Sequence, residues 1–309
     1  GRPSGEPMNA LVWLGPHEMA VEERPDPPDP GPGRLVLQPE AVGICGSEVE
    51  GYLGRMGNRT PPLVMGHEFA GRVVAAGEGA SELEGARVAV NPLSGCGECR
   101  LCRAGDTNLC RDRVLVGVHV PGAFADYVTV RAADARVLPD GVPARVGALV
   151  EPLATGVHAV RLAPEGVERA VVIGAGTIGL LTLQAALLEG IAHVAVVERH
   201  PERLARAVAL GASEDAEEPD LVLDAVGAEA TRRLGLALLR PGGTLVCIGL
   251  AGDETTLGFH DVVRSQHRIQ GSYAYTMPDY EQAHEWLVGG RAQLGGDLTP
   301  VHPLEAGPE

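Results

Sequence analysis

The first half of the chain is patterned in short pieces. Residues 34–41 and 123–130 alternate apolar and polar side chains with a period of two, and 8–14, 18–23, 72–76 and 86–90 are short β-rich runs, so each predicts a strand. Between residues 23 and 34 runs Pro25-Asp26-Pro27-Pro28-Asp29-Pro30-Gly31-Pro32-Gly33, which neither a helix nor an inner strand accepts and which predicts a surface loop. Short strands, Gly and Pro punctuation and no long helical run together predict an all-β, barrel-like first domain.

The period changes near Ala144. Residues 146–162 place apolar side chains at helical spacing, and from Arg169 onward strands and helices alternate. Strands are predicted at 170–173, 193–197, 221–223, 244–248 and 269–272, with helices between the early ones. Near-continuous Val, Leu and Ile in these strands predict a parallel sheet covered on both faces, hence a doubly wound second domain. The acidic run Glu214-Asp215-Ala216-Glu217-Glu218 predicts a solvated loop.

Composition narrows the picture. At 309 residues the chain exceeds the size at which one core usually stops growing, in keeping with two domains. Aromatics make up 3%, so Val, Leu, Ile and Ala must fill the cores. All 25 basic residues are Arg, which removes any Schiff-base or P-loop lysine. A net charge of -16 argues against nucleic acid or an anionic membrane as partner. No apolar run is long enough to span a bilayer and no basic-then-apolar leader opens the chain, so a soluble, cytoplasmic protein is expected. Residues 1–7, ahead of Met8, read as an expression remnant.

Four of the six cysteines crowd together as Cys96-x2-Cys99-x2-Cys102-x7-Cys110, among Gly95, Gly97 and Gly105, which let a loop fold round an ion. In a reducing compartment this spacing predicts metal rather than disulfides. Four thiolates leave no open position, so the site is read as structural zinc. An iron–sulfur cluster fits less well, because the bacterial ferredoxin run closes with x3-Cys-Pro.

Gly174-x-Gly176-x-x-Gly179 follows a predicted strand and, through Thr177 and Ile178, opens an apolar helix ended by Gly190. The first glycine makes the turn, the second admits a pyrophosphate and the third lets helix and strand approach. Glu198 ends the next strand, where a carboxylate can accept hydrogen bonds from the adenosine ribose hydroxyls; this favours NAD over NADP. Arg199 and Arg203 could instead pair with a 2'-phosphate.

Cys45, His67 and Glu151 lie far apart in sequence, each beside a Gly or Pro turn. A thiolate, an imidazole and a carboxylate with an open fourth position would suit catalytic zinc, although each residue alone is more often structural or solvated. Glu68 could coordinate the same ion in turn with water, or hydrogen-bond one of its ligands.

These residues resemble the zinc-dependent medium-chain alcohol dehydrogenases, and more closely their polyol and threonine dehydrogenase-like branch. The resemblance runs from Met8 to about Leu298 and rests on Gly43-Ile44-Cys45-Gly46-Ser47, Gly66-His67-Glu68-Phe69-Ala70-Gly71, the four-cysteine loop, Glu151-Pro152-Leu153-Ala154 and the glycine turn. It implies a GroES-like β-barrel catalytic domain, residues 8–155 and 291–309, and a Rossmann domain, residues 156–290, with catalytic zinc in the cleft between them. It also implies Cys45, His67 and Glu151 as catalytic zinc ligands with Glu68 as an alternate, two zincs per chain, and a homodimer or homotetramer. Ser47 would pass the substrate's proton towards the nicotinamide ribose as a secondary alcohol, a polyol or amino alcohol, gives hydride to NAD. An NADP(H)-dependent ketone or aldehyde reductase, or a non-catalytic NAD-binding protein, are the other readings.

Two positions depart from the resemblance. Glu48 stands where Asp is usual, and Glu50 where a His often serves as the outlet of the proton path. The chain also ends soon after Leu298-Thr299-Pro300-Val301-His302-Pro303, so the closing strand and helix of the barrel are expected to be short or missing.

Overall fold

A computed structural model of the chain describes residues 7–213, 215, 217–294 and 301–308. Glu214 and Ala216 of the acidic run, and residues 295–300 before the C-terminus, lie outside the described residues. The described residues of Gly1–Glu151, His284–Gly289 and Thr299–Glu309 form one compact unit, and those of Pro152–Ala283 and Gly290–Leu298 a second. Among the described residues no helix is long and apolar enough to cross a membrane.

In chain order the elements leading to Glu151 are β1 (Met8–Gly15), β2 (Glu18–Arg24), β3 (Arg34–Gly43), α1 (Gly46–Tyr52), β4 (Leu63–Val64), β5 (Glu68–Ala76), β6 (Arg87–Val90), β7 (Leu93–Ser94), α2 (Arg100–Ala104), β8 (Val114–Leu115), β9 (Val128–Arg131), β10 (Ala135–Val137), α3 (Ala144–Gly147) and α4 (Val150–Arg161). The strands make antiparallel sheets in the orders β2-β1-β4, β10-β6-β5-β3-β9 and β7-β8. Leu35 and Leu37 of β3 share one face with Phe69, Val73, Val88, Val90, Val128 and Val130. Each such side chain contributes about 1.5–3 kcal/mol when fully buried. One pairing matters for chemistry: Gly43 at the end of β3 lies opposite Glu68 at the start of β5. A Cβ on Gly43 would crowd the Glu68 carboxylate, so a larger residue there would push that side chain aside.

The remaining elements are β11 (Arg169–Ile173), α5 (Thr177–Leu188), β12 (His193–Val197), α6 (Pro201–Ala209), β13 (Leu221–Asp224), α7 (Glu229–Leu238), β14 (Thr244–Cys247), α8 (Phe259–Arg264), β15 (Arg268–Gly271) and α9 (Met277–Val288). The five strands form a parallel sheet in the order β12-β11-β13-β14-β15. The chain leaves β11 to one side for β12 and returns to its other side for β13, so the carboxyl end of β11 is a topological switch point. The molecule is thus of mixed α/β class, with a curled antiparallel sheet and a doubly wound parallel one.

Two expectations from periodicity need correction. The strand expected over 123–130 shrinks to Val128–Arg131, because Gly122, Ala123 and Phe124 donate to the carbonyls of Val64, Gly66 and Met65 in loop geometry. The helical spacing of 146–162 belongs to two helices, broken at Ala148 and Leu149. Pro152 would sit in the interior of a continuous helix; the break puts it in the first turn of α4, where its missing N–H costs little.

A buried network ties α4 to the start of α9. Asp279 Oδ2 lies 2.8 Å from His158 Nδ1 and accepts from Thr276 N and Oγ1 at 3.0 and 2.7 Å, while Oδ1 accepts from Arg161 Nη1 at 3.0 Å. Burial pulls the Asp279 carboxyl upward, but the bonds from His158, Thr276 and Arg161 outweigh it and hold it at about 2. A folded-state value below the ordinary carboxylate range stabilises above that range, and the contribution is lost as pH falls through about 4 towards 2. Asp279→Asn is therefore expected to cost about 2 kcal/mol at pH 7. Thermal unfolding at neutral pH should show a midpoint several degrees lower, and the gap to the parent protein should close on acidification.

Candidate active site

Cys45 caps the N-terminus of α1, and His67 directly precedes β5, whose first residue is Glu68. The opposition of Gly43 and Glu68 carries these three residues together, and one ligand atom of each lies within 4.8 Å of the others. Glu151, in the first turn of α4, stands outside that tight group yet close enough for its charge to act on both His67 and Glu68. The carboxylate inside the group is thus Glu68, the residue expected as the alternate ligand.

The electrostatics of the group call for a cation. Burial works against charge on His67, but the carboxylates of Glu48 and Glu151, with Cys45, outweigh it and hold the imidazole well above its ordinary pKa. Burial first, and then the charge of Glu151, push Glu68 up to about 8. Carboxylates packed round one imidazole and one thiol repel each other, and a positive charge held among them, a protonated His67 or a metal ion, relieves that repulsion. Sulfur, nitrogen and oxygen donors converging at this spacing fit zinc.

Glu48 supplies the support that its mismatch with the resembled pattern left in question. It is 2% exposed; Oε1 stands 2.9 Å from His67 Nδ1 and accepts from Gly66 N at 2.8 Å, while Oε2 accepts from Cys45 N at 2.9 Å. The longer side chain therefore stands against the imidazole and fixes the turn that bears the thiol. Cys45-x-x-Glu48 has the spacing of a capping box, a signal present in the sequence. Ser47 lies in the same turn, half-buried, and Glu50 points to the surface, 3.5 Å from Arg55.

Cys96, Cys99, Cys102 and Cys110 form a second group within 4.8 Å, with Sγ separations of 3.9 Å for Cys96–Cys102 and Cys99–Cys110. Tetrahedral zinc with bonds of about 2.3 Å sets its sulfurs about 3.8 Å apart, whereas a disulfide needs about 2.05 Å. The amides of Cys96, Cys99 and Cys102 each point at a sulfur of the group at 3.4 Å. Amide donors at Glu98 and Cys99 draw the Cys96 thiol down to about 7, while burial pushes Cys102 up to about 12. Four sulfur donors at these separations fit a closed zinc site.

At the switch point Gly174 adopts φ +94°, and a Cβ on Gly179 would lie 1.8 Å from Gly174 O. Gly176 faces open space and caps α5 without a side-chain bond, leaving the amides of Thr177 and Ile178 to meet an anion. Ile173 pairs with Val197, so Glu198 comes beside the turn. Its carboxylate accepts from Ala175 N and His200 N, both at 2.9 Å. Burial pulls Glu198 upward, but the amides of Ala175, His200 and Arg199 outweigh it and keep the carboxyl below its ordinary pKa. Arg199 and Arg203 flank it, the latter at the start of α6. Such a cradle fits a dinucleotide.

Comparison with known proteins agrees with this geometry. The alcohol dehydrogenase GroES-like domain family matches residues 31–140, and the zinc-binding dehydrogenase family matches 213–289. The chain is 31% identical to L-galactonate-5-dehydrogenase of Escherichia coli strain K12, over 96% of this chain and 92% of that protein. It is also 31% identical to sorbitol dehydrogenase of Bacillus subtilis strain 168, over 96% and 91%. Among solved structures, a zinc-binding dehydrogenase of Sinorhizobium meliloti 1021 bound to NADP superposes with a TM-score of 0.86 at 30% identity, covering 93% of this chain and 90% of that one. An alcohol dehydrogenase of Escherichia coli CFT073 complexed with NADH gives 0.85 at 28% identity, covering 94% and 90%.

Proposed function

Since the chain belongs to the zinc-dependent medium-chain alcohol dehydrogenases, we propose that it oxidises a secondary alcohol, a polyol or amino alcohol, with NAD. The observation that carries this reading is the group of Cys45, His67 and Glu68, with Glu151 beside it and Ser47 in the same turn. Those four ligand candidates would hold a catalytic zinc, and Cys96, Cys99, Cys102 and Cys110 a structural one. When bound, zinc lowers the pKa of an alcohol oxygen and NAD accepts the hydride.

The protein's own residues supply the rest. Glu48 holds His67 in one ring orientation. Ser47 takes the substrate's hydroxyl proton and passes its own onward. Glu68 and Glu151 offer two carboxylates to one position, so that one can yield as substrate or water arrives. Gly176 and the first amides of α5 receive the pyrophosphate, and Glu198 the adenosine ribose.

Use of NADP is the second reading, supported by Arg199 and Arg203 next to Glu198 and by the NADP-bound Sinorhizobium meliloti structure. A panel of polyols and amino alcohols, offered to zinc-replete protein with each cofactor, tests both. Reduced NAD should form, stop on chelation and resume with added zinc. Absence of turnover in protein that is zinc-replete and binds NAD would overturn the proposal, and a preference for NADP would replace its cofactor.

A further inference from the structure

Arg59 is 6% exposed, and its guanidinium grips Ser47 at two points: Nη1 donates to the backbone carbonyl at 2.5 Å and Nη2 to Oγ at 3.1 Å. A buried cation is costly unless its donors are satisfied, so a guanidinium set on this residue is a built feature. Gly51 of α1 makes the room. A Cβ there would stand 2.8 Å from Arg59 Nη1 and 3.1 Å from Cδ.

A serine hydroxyl has three staggered wells and a freely turning proton. Donation from Arg59 occupies one lone pair of Oγ, selects one well, and turns the hydroxyl's own hydrogen away from the guanidinium. One lone pair and one O–H are left for chemistry. Arginine keeps its proton at every working pH, so Arg59 cannot itself carry the substrate's proton. Glu50, at the position expected for an outlet, is engaged with Arg55 at the surface.

Resting on the dehydrogenase reading above, we propose that Arg59 is a positioning residue for proton transfer, holding the Ser47 hydroxyl in the rotamer that receives the proton of the substrate alcohol. In that step the substrate O–H bond breaks and a new O–H bond forms at Oγ. The original Ser47 proton leaves at the same time to water, which carries it to bulk solvent. Arg59 is unchanged by the step.

Two readouts test this, one of them independent of turnover. High-resolution crystal structures of the parent protein and of Arg59→Met should show one Ser47 rotamer in the first and several in the second; a single unchanged rotamer in Arg59→Met would overturn the proposal. In kinetics, Arg59→Met should lower kcat roughly ten- to hundredfold, with KM, zinc content and NADH affinity within about twofold of the parent. Arg59→Lys should recover part of the loss. Gly51→Ala, which keeps the charge but displaces the guanidinium, should show a smaller loss in the same direction and stands in should Arg59→Met fail to fold. Placed on a Ser47→Ala background, Arg59→Met should change kcat less than about twofold, because both act through one hydroxyl. Additive losses would assign Arg59 a merely structural role. A parent protein with no alcohol turnover would count against the function proposed above, while the rotamer comparison would still decide the role of Arg59.

Discussion

Cys45→Ser is expected to leave a folded protein that holds one zinc in place of two and oxidises its alcohol with kcat/KM lower by at least about four orders of magnitude. Serine is among the better helix N-caps, so α1 keeps its start. The bond from the backbone N of residue 45 to Glu48 Oε2 does not involve the sulfur and survives. What is lost is the soft donor of the Cys45, His67 and Glu68 group, and with it the Lewis acid. Polarisation of the alcohol oxygen is worth several kcal/mol at the transition state, and each 1.36 kcal/mol is about tenfold in rate. Zinc per chain, the thermal midpoint and initial rates of NADH formation, measured on one preparation, check all three parts. Turnover near that of the parent in protein holding a single zinc would remove Cys45 from the chemistry.

Much of the candidate site could be read from the chain because its parts are short and local. The four-cysteine spacing, the glycine turn and the acid at Glu198 each lie within one loop or one strand–turn–helix unit, where residue spacing translates directly into geometry. The strands of the parallel sheet were legible for a similar reason: buried on both faces, they show as continuous apolar runs, as at Ala170–Ile173 within β11. What escaped depends on pairing between distant segments. Glu68 rather than Glu151 joins the tight group because Gly43 lies opposite Glu68 in a sheet register that spacing does not reveal. Glu48 looked like a departure from a pattern, and its three contacts, to Cys45, Gly66 and His67, became visible only once β3 and β5 were paired. Arg59 left no local trace at all; the glycine that admits it is eight positions away, on a helix. The break before α4 follows from Pro152, a signal the sequence carried but the helical spacing of the surrounding residues masked.

The largest effect on stability belongs to the other cysteine group. Cys110 is fully buried, its sulfur 3.9 Å from Cys99 Sγ and approached by the amide of Cys96. Cys110→Ser exchanges a soft thiolate for a harder, less acidic oxygen at the most enclosed corner of the tetrahedron. Structural zinc contributes folding free energy outright, so loss of the ion should lower the thermal midpoint by about 10 °C or more. One zinc should again remain per chain, this time the one on which turnover depends, and the rate at 25 °C of the protein still folded should fall less than about tenfold. Cys45→Ser and Cys110→Ser thus predict the same metal count with opposite consequences, one for rate and the other for stability. A Cys110→Ser protein that keeps two zincs and its full midpoint would show that the four sulfurs do not share an ion. Iron in the parent protein would replace the tetrahedral zinc reading with a cluster. The contrast between the two variants, rather than either count alone, separates a closed site that holds a loop together from an open one that activates a substrate.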